Sequence, residues 1–284
     1  MDFTPIFIWW LIILIFGLVG WPLAFSLLRF LPDRGFAFAR PIGLLITGYI
    51  LWLGGTFRLL QNNVGGIGVA LVLVGVIGLV WQRQQVRSGS SLSMLAWFRQ
   101  EWRYALSVEL LFSLAFTGWT FFKAYNPNIE TAGGEKLMEI AFINGALRSD
   151  YFSPQDPWLS GFAISYYYFG YVLMAMVTRL TGLVSTTAFN LYIPTLFALT
   201  LTAALGILAN LVSLYQASIL PNSTLHPPVR SLPLGPSTSP IPCDHHRPRG
   251  RALCRRTGPP GRAAGSAAQE SLFVARLLDL ARHS

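Results

Sequence analysis

The feature that most constrains this chain is a series of long apolar segments with very few charged residues. The first, from Ile6 to Leu28, contains no charged residue and is long enough for a helix to cross about 30 Å of hydrocarbon. Soluble domains carry about 25% charged residues, whereas this chain carries 12% and is 53% hydrophobic. We therefore predict an all-α fold, a polytopic transmembrane bundle of about six helices. The predicted spans are 6–28, 42–60, 64–81, 104–122, 159–181 and 187–215.

A cleavable signal peptide is the alternative explanation for the first segment. Signal peptides begin with a positively charged region and have a shorter apolar core. Here Asp2 precedes the apolar run, and the first arginine, Arg29, follows it. We therefore expect a retained membrane helix.

Arginines indicate which side of the membrane each connection faces. The connections after the first and third spans hold three and four arginines. Cytoplasmic loops are enriched in Lys and Arg, so the N-terminus and the loop 123–158 are expected on the outer side of the plasma membrane. The predicted organisation is a four-helix region, one large outer loop, two further membrane helices and a tail. Their ranges are 1–122, 123–158, 159–220 and 221–284.

The basic charge of the chain belongs largely to its last part. Residues 1–220 hold 12 Lys and Arg against 9 Asp and Glu, so membrane lipids rather than nucleic acid are the expected partners. Residues 221–284 hold 10 of the 18 prolines, all 4 histidines and both cysteines. This composition favours a disordered C-terminal tail. A reading-frame shift is the alternative, which the nucleotide sequence decides.

The tail contains the residue types of a zinc site. These residues are Cys243, His245, His246 and Cys254. Their spacing, C-x-H-H-x7-C, matches none of the recurring zinc patterns. We therefore predict no metal site there.

The loop 123–158 gathers the carboxylates of the membrane region. Such a concentration beside a helix bundle indicates a candidate site. Glu135 and Glu139 are four residues apart, so a helix through 135–147 would place both on one face. The alternative is an interfacial helix whose charges face water. Five of the nine acidic residues in 1–220 lie here: Glu130, Glu135, Glu139, Asp150 and Asp156.

Two further features border the predicted fifth span. Asp156 precedes Pro157 and is either a site residue or a turn or N-cap residue. Aromatic side chains near the start of the span either bind a sugar or lipid head group or form an interfacial belt. They are Tyr166, Tyr167, Tyr168 and Tyr171. In the fourth span, Glu109 is expected to reach the interface or to pair with Arg103.

Three motifs of this region resemble a known family. They are GGEKLMEIAFINGALRS, FSPQDPWLSG and ISYYYFGY. Together they resemble the hallmark of the YYY-type integral membrane proteins, large polytopic proteins of archaea and some bacteria, most of them uncharacterised. The resemblance covers about residues 1–215. Full members continue with many more helices, so the resemblance implies a truncated or frame-shifted N-terminal part.

The same layout is similar, more distantly, to the GT-C class of membrane glycosyltransferases. Those enzymes place a catalytic carboxylate in the first large outer loop and a second polar motif with prolines before the next helix. The resemblance assigns Glu135 or Glu139 to the first position and Asp156 to the second. It implies sugar transfer from a lipid-phosphate donor, in which a carboxylate takes the acceptor proton.

Departure of a phosphate also needs a cation. Lys136 and Arg148 are the candidate phosphate partners, and a divalent metal cofactor is left open. The candidate substrate-binding tyrosines are Tyr167, Tyr168 and Tyr171. Two alternatives stand beside the transferase: an inactive fragment of one, and a non-catalytic transporter or assembly subunit with polar groups at mid-membrane depth.

Overall fold

The computed structural model of the chain describes residues 3–129 and 134–219. Within these ranges the fold is all-α, as predicted, with no β-strand and a single isolated bridge between Gln155 and Ala163. Glu130, the predicted tail and its Cys and His residues lie outside the described residues. The helices are α1 Thr4–Leu27, α2 Ala39–Thr56, α3 Val64–Arg87, α4 Met94–Ala124, α5 Lys136–Arg148, α6 Phe169–Thr181 and α7 Ser185–Ile219.

Five of these described helices are long and apolar enough to cross a membrane: α1, α2, α3, α4 and α7. The helix α4 begins ten residues before the predicted span, so the connection that precedes it is much shorter than the sequence suggested. Ser93 caps this helix by accepting a hydrogen bond from the backbone N–H of Ala96 at 3.2 Å. Arg99 and Arg103 therefore lie on the first turns of α4, where long side chains can extend towards water.

The helices α1 and α2 pack most closely where two glycines meet. A Cβ built on Gly20 would lie 2.5 Å from the Cα of Gly43, and a Cβ on Gly43 would overlap the carbonyl of Phe16. Small residues allow such close backbone approach between membrane helices. The glycine-rich α3 uses the same device against α1, because a Cβ on Gly78 would lie 2.7 Å from the backbone nitrogen of Leu23.

One hydrophobic core joins the membrane-length helices to the two shorter ones. It includes Trp9 of α1, Leu51 of α2, Phe112 of α4, Ile143 of α5 and Met176 of α6. The helices α5 and α6 are thus packed into the bundle itself. Their side chains do not form a separate loop domain.

The largest difference from the sequence-based prediction is the fifth span, predicted over 159–181. The helix α6 begins only at Phe169 and has 13 residues, about 20 Å at 1.5 Å per residue, short of the roughly 30 Å of a hydrocarbon core. The preceding residues form a turn instead. The carboxylate of Asp156 accepts the backbone N–H groups of Trp158 and Leu159, and Gly161 adopts a φ of 86°. This left-handed conformation favours glycine and is incompatible with a continuing α-helix.

Both ends of α6 lie at the same end of the bundle. Near its start, the Tyr168 hydroxyl accepts a hydrogen bond from Nε1 of Trp52, in the last turns of α2. Near its end, Arg179 donates to the carbonyl of Leu147 in α5. Between these contacts, residues 172–178 are all buried. The helix α6 therefore packs into one end of the bundle, here called the α5 end, without crossing it.

Because α6 does not cross, α7 runs opposite to the direction predicted for the sixth span. Its first turns lie at the α5 end, where Asn190 donates to the carbonyl of Pro127, just beyond α4, at 2.8 Å. Its later turns reach the other end, where Asn210 donates to Asp33, after α1, at 2.8 Å. Within residues 3–129 and 134–219, five helices therefore pass from one end of the bundle to the other.

Asp33 is the centre of a buried polar network at the end of the bundle opposite α5. Its carboxylate accepts hydrogen bonds from the backbone N–H of Gly35, the hydroxyl of Tyr104 and the side-chain amide of Asn210. These partners belong to the α1–α2 connection, to α4 and to α7. The network therefore fixes three elements to one another where the arginine-rich connections meet.

Candidate functional site

The helix predicted through 135–147 is present as α5 and is held to the bundle by its carbonyl groups. Asn62, between α2 and α3, donates to the carbonyls of Ala146 and Ser149 at 2.7 and 2.9 Å. Arg179 of α6 donates to the carbonyl of Leu147. The last carbonyls of a helix have no partner within it, so these side chains satisfy groups that burial would otherwise leave unpaired. The contacts fix the position of α5 against the ends of the membrane-length helices.

Aromatic residues from three segments meet on α5. The ring of Phe142 lies 5.4 Å from Trp158, 5.7 Å from Tyr166 and 5.5 Å from Tyr171, measured between ring centroids. Tyr167 joins the group through Tyr166, with 3.8 Å between the two ring centroids. We call these five residues the Phe142 cluster. It brings together the turn after Asp156, the tyrosine run and the first turn of α6.

The two tyrosines before α6 share a short hydrogen bond. The Tyr166 hydroxyl donates to the Tyr167 hydroxyl at 2.6 Å. This bond, followed by desolvation and the negative charge of Glu135, raises the pKa of Tyr166 from 10.0 to about 12. Ionisation would remove the donated proton and add a charge beside a carboxylate. At neutral pH Tyr166 is therefore uncharged, and both phenol rings lie at the surface.

A difference titration tests this pair. Subtracting the ultraviolet titration of Tyr166→Phe from that of the unchanged chain should isolate a phenol that ionises near pH 12. Replacing Tyr167 by Phe removes the acceptor oxygen, so the pKa of Tyr166 should fall towards its ordinary value. Because folding raises the pKa of Tyr166, its protonated phenol stabilises the folded state. This stabilisation is fully present below the pKa that Tyr166 has in the unfolded chain, and it is lost as the pH rises through the pKa of Tyr166 in the folded chain. An unchanged Tyr166 titration in Tyr167→Phe would show that the bond does not form.

The two glutamates lie at the start of α5, on the side of the Phe142 cluster. Glu135 immediately precedes the helix and Glu139 lies in its first turn. Burial raises the pKa of Tyr171, and electrostatic interactions with Glu139, Tyr167 and Glu135 raise it further. Both carboxylates thus affect the pKa of one phenol, that of Tyr171. The two glutamates that were predicted to share a helix face are therefore both close enough to Tyr171 to interact with it electrostatically.

Two other predicted site residues have structural contacts. The Tyr168 hydroxyl bonds to Nε1 of Trp52 at 2.9 Å and to Oγ of Ser153 at 3.0 Å. The Asp156 carboxylate accepts two backbone N–H groups of its own turn, at 2.8 and 2.9 Å. These contacts favour the turn alternative for Asp156, although it caps a turn and not the start of a helix. They also favour a positioning role for Tyr168.

The two predicted phosphate partners lie at opposite ends of α5. Lys136 is its first residue and Arg148 its last, a separation of about 18 Å along the axis at 1.5 Å per residue. Lys136 therefore shares the end that carries Glu135 and Glu139. Arg148 lies at the end fixed by Asn62.

Phe142 and Trp158 were not among the predicted site residues. Phe142 follows Glu135 by seven positions and Glu139 by three, so helical spacing alone places it on their face. Trp158 gave no comparable signal, because it was the last residue of the predicted loop, directly before a predicted membrane span. In the structure, the turn that Asp156 closes places the Trp158 ring against Phe142.

The structure also corrects the predicted partner of Glu109. Arg40 of α2, and not Arg103, pairs with it: Nη1 donates to Oε1 at 3.0 Å and Nη2 donates to Oε2. The guanidinium also lies over the ring of Phe112, with 4.2 Å between Cζ and the centroid. Gly17 makes room for this side chain, since a Cβ there would lie 2.7 Å from Cγ of Arg40.

The helix lengths, apolar composition and packing define an integral membrane protein of the helical-bundle class. A family model described as uncharacterized membrane protein (DUF2298) matches residues 46–239, more than half of the chain, and the chain belongs to this family. No curated protein and no solved structure matches it. The matched range differs at both ends from the extent of 1–215 that the motifs suggested. The description of the family states no reaction.

Proposed function

We propose that the α5 end of the bundle binds the phosphate-sugar head of a lipid-linked donor and transfers the sugar to an acceptor. The observation that carries the proposal is the placement of Glu135 and Glu139 beside the Phe142 cluster, where both charges act on Tyr171. Carboxylates next to exposed aromatic rings provide a base and a surface for a sugar. The GT-C resemblance supports the same assignment by analogy of layout.

Each group has a defined role in this proposal. Glu139, or Glu135 beside it, takes the proton from the acceptor hydroxyl as the new glycosidic bond forms. Lys136 and the N-terminal N–H groups of α5 stabilise the phosphate that leaves with the electrons of the broken bond. Tyr167, which is 69% exposed, offers a phenol to the sugar. Among the described residues no group of three or more His, Cys, Asp or Glu side chains could hold a metal ion.

Two glutamine substitutions test the catalytic step. In proteoliposomes supplied with a polyprenyl-phosphate sugar, Glu139→Gln should lower sugar transfer by about 10²–10⁴-fold. Glu135→Gln should do the same if Glu135 is the base, because glutamine keeps the shape and cannot take a proton. The measurements are radiolabelled glycolipid formed and donor bound, the second by native mass spectrometry.

Tyrosine variants test the binding surface. Tyr167→Phe should weaken donor binding, because it removes the phenol that faces the sugar. Tyr125→Phe is the matched control, since Tyr125 is 92% exposed and lies outside the Phe142 cluster. If the unchanged chain binds the donor and both glutamine variants make as much product as it does, the base lies elsewhere. If the unchanged chain binds no donor, the proposal fails at its first step.

A non-catalytic transporter or assembly subunit is the second candidate, and one observation is compatible with it. The Arg40–Glu109 pair places an arginine side chain in the bundle, where it is only 6% exposed. Charges within membrane helices are often functional. The bidentate geometry of this pair supports a structural role equally well, so the absence of sugar transfer together with an intact bundle would favour this candidate.

An inactive N-terminal fragment of a transferase is the remaining proposal. It rests on the change in composition at Pro221, after which the sequence becomes rich in Pro and Arg. Sequencing the downstream DNA in all three frames tests it. Further apolar spans in another frame would support it, and a continuous frame without them would refute it.

A further inference from the structure

Three large apolar side chains project from one short turn at the α5 end of the bundle. Trp158, Leu159 and Phe162 are 62%, 60% and 64% exposed. They lie within Pro157–Ser165, which contains no charged residue. In water this surface would be unfavourable, since each large apolar side chain gains roughly 1.5–3 kcal/mol when it is fully buried.

Hydrogen bonds close the turn that carries these exposed side chains. Asp156 N–H donates to the carbonyl of Phe162 at 2.9 Å, and Ile164 N–H donates to the carbonyl of Pro154 at 2.9 Å. The side-chain carboxylate of Asp156 also stabilises this turn, because it accepts hydrogen bonds from the backbone N–H groups of Trp158 and Leu159. The backbone therefore holds the apolar side chains outward.

From this geometry we propose that the turn 156–163 is an interfacial anchor that inserts Trp158, Leu159 and Phe162 among lipid head groups. The partner is the bilayer surface that surrounds the five membrane-length helices. The proposal does not depend on sugar transfer.

The position of the turn supports a lipid partner. Trp158 packs on Phe142 of α5, and α5 is bonded to Asn62 in the connection between α2 and α3. The apolar turn is therefore continuous with the ends of the helices that cross the membrane, where Trp is enriched in membrane proteins. Irregular backbone is not tolerated in lipid-exposed hydrocarbon, so the head-group level is the depth that suits a turn.

The anchor has a consequence for the Phe142 cluster. Trp158 belongs both to the inserted turn and to the cluster, where its ring lies 5.4 Å from that of Phe142. Insertion would hold the cluster at the membrane surface. A ligand with a lipid tail would then reach it along the bilayer instead of from bulk water.

Environment-sensitive labelling tests the anchor in the full chain. With Cys243 and Cys254 replaced by Ser, a single cysteine at Leu159 is labelled with the fluorophore NBD in proteoliposomes. The matched control carries the label at Gln155, which is exposed on the same segment before the turn closes. The quenchers are a phospholipid with a nitroxide near its head group and aqueous iodide.

The anchor predicts a clear difference between the two positions. The label at Leu159 should emit at shorter wavelength and be quenched by the nitroxide lipid, whereas the label at Gln155 should be quenched by iodide. Equal iodide quenching at both positions would overturn the proposal. A short-wavelength emission at Leu159 that neither quencher reduces would show that protein covers the turn, which also overturns it. Elution of each labelled protein as one symmetrical species establishes that the fold is intact.

Discussion

Arg40→Leu should destabilise the bundle by about 1–3 kcal/mol, because it leaves the Glu109 carboxylate, whose side chain is 33% exposed, without its charged partner. The substitution leaves Glu109 without the guanidinium that now holds both its oxygens. It also removes the cation from the face of Phe112. Reversible unfolding in mixed detergent and SDS, followed by circular dichroism, measures the change in the free energy of unfolding.

The double variant Arg40→Leu with Glu109→Leu provides the control. Replacing both partners by apolar residues leaves no unpaired charge, and such replacements are often neutral or stabilising. The double variant should therefore recover most of the stability that Arg40→Leu loses. A double variant as unstable as the single one would show that packing of the arginine, and not its charge, is what matters.

Asp33→Ala should cost about 2–4 kcal/mol, because loss of the carboxylate removes two buried hydrogen bonds and one partly buried one, and a buried donor left unpaired costs about 1–3 kcal/mol. These donors are the N–H of Gly35, the hydroxyl of Tyr104 and the amide of Asn210. The same unfolding measurement applies. Asp150→Ala, which removes an exposed carboxylate, should change stability by no more than about 0.5 kcal/mol. Equal effects of the two substitutions would contradict the role given to the Asp33 network.

The sequence predicted the membrane class and the positions of five membrane-length helices correctly, because uncharged runs of sufficient length have few alternatives in lipid. It also predicted the helix α5, which follows from helical spacing. These features depend on local pattern alone. Their physical cause acts within one segment, so no knowledge of the fold is needed.

The prediction of a fifth membrane span was wrong because apolar composition does not distinguish a crossing helix from a short helix preceded by an apolar turn. The turn depends on a hydrogen bond of the Asp156 carboxylate and on the positive φ of Gly161, and a hydropathy profile shows neither of them. Once the turn forms, α6 is too short to cross, and the direction of α7 is reversed. The formation of this one turn thus changes the side of the membrane that is predicted for all the residues that follow it.

The partner of Glu109 could not be predicted from the sequence, for a different reason. Arg103 is a neighbour on the same helix, whereas Arg40 lies 69 positions away along the chain. Only the folded bundle, in which the long side chain of Arg40 reaches across beside Gly17 of α1, brings the two charges together. The assembly of the Phe142 cluster from three segments has the same origin.

The central claim of this account is that α6 packs into the α5 end without crossing, so that α5 and the start of α7 lie on one side. Single cysteines at Ser153 and Ser218, with Cys243 and Cys254 replaced by Ser, test it by labelling with a membrane-impermeant maleimide. Five crossings and an outer loop predict that Ser153 is labelled in intact cells, whereas Ser218 is labelled only after permeabilisation. Labelling of both positions in intact cells would show that α6 crosses the membrane and would contradict the account.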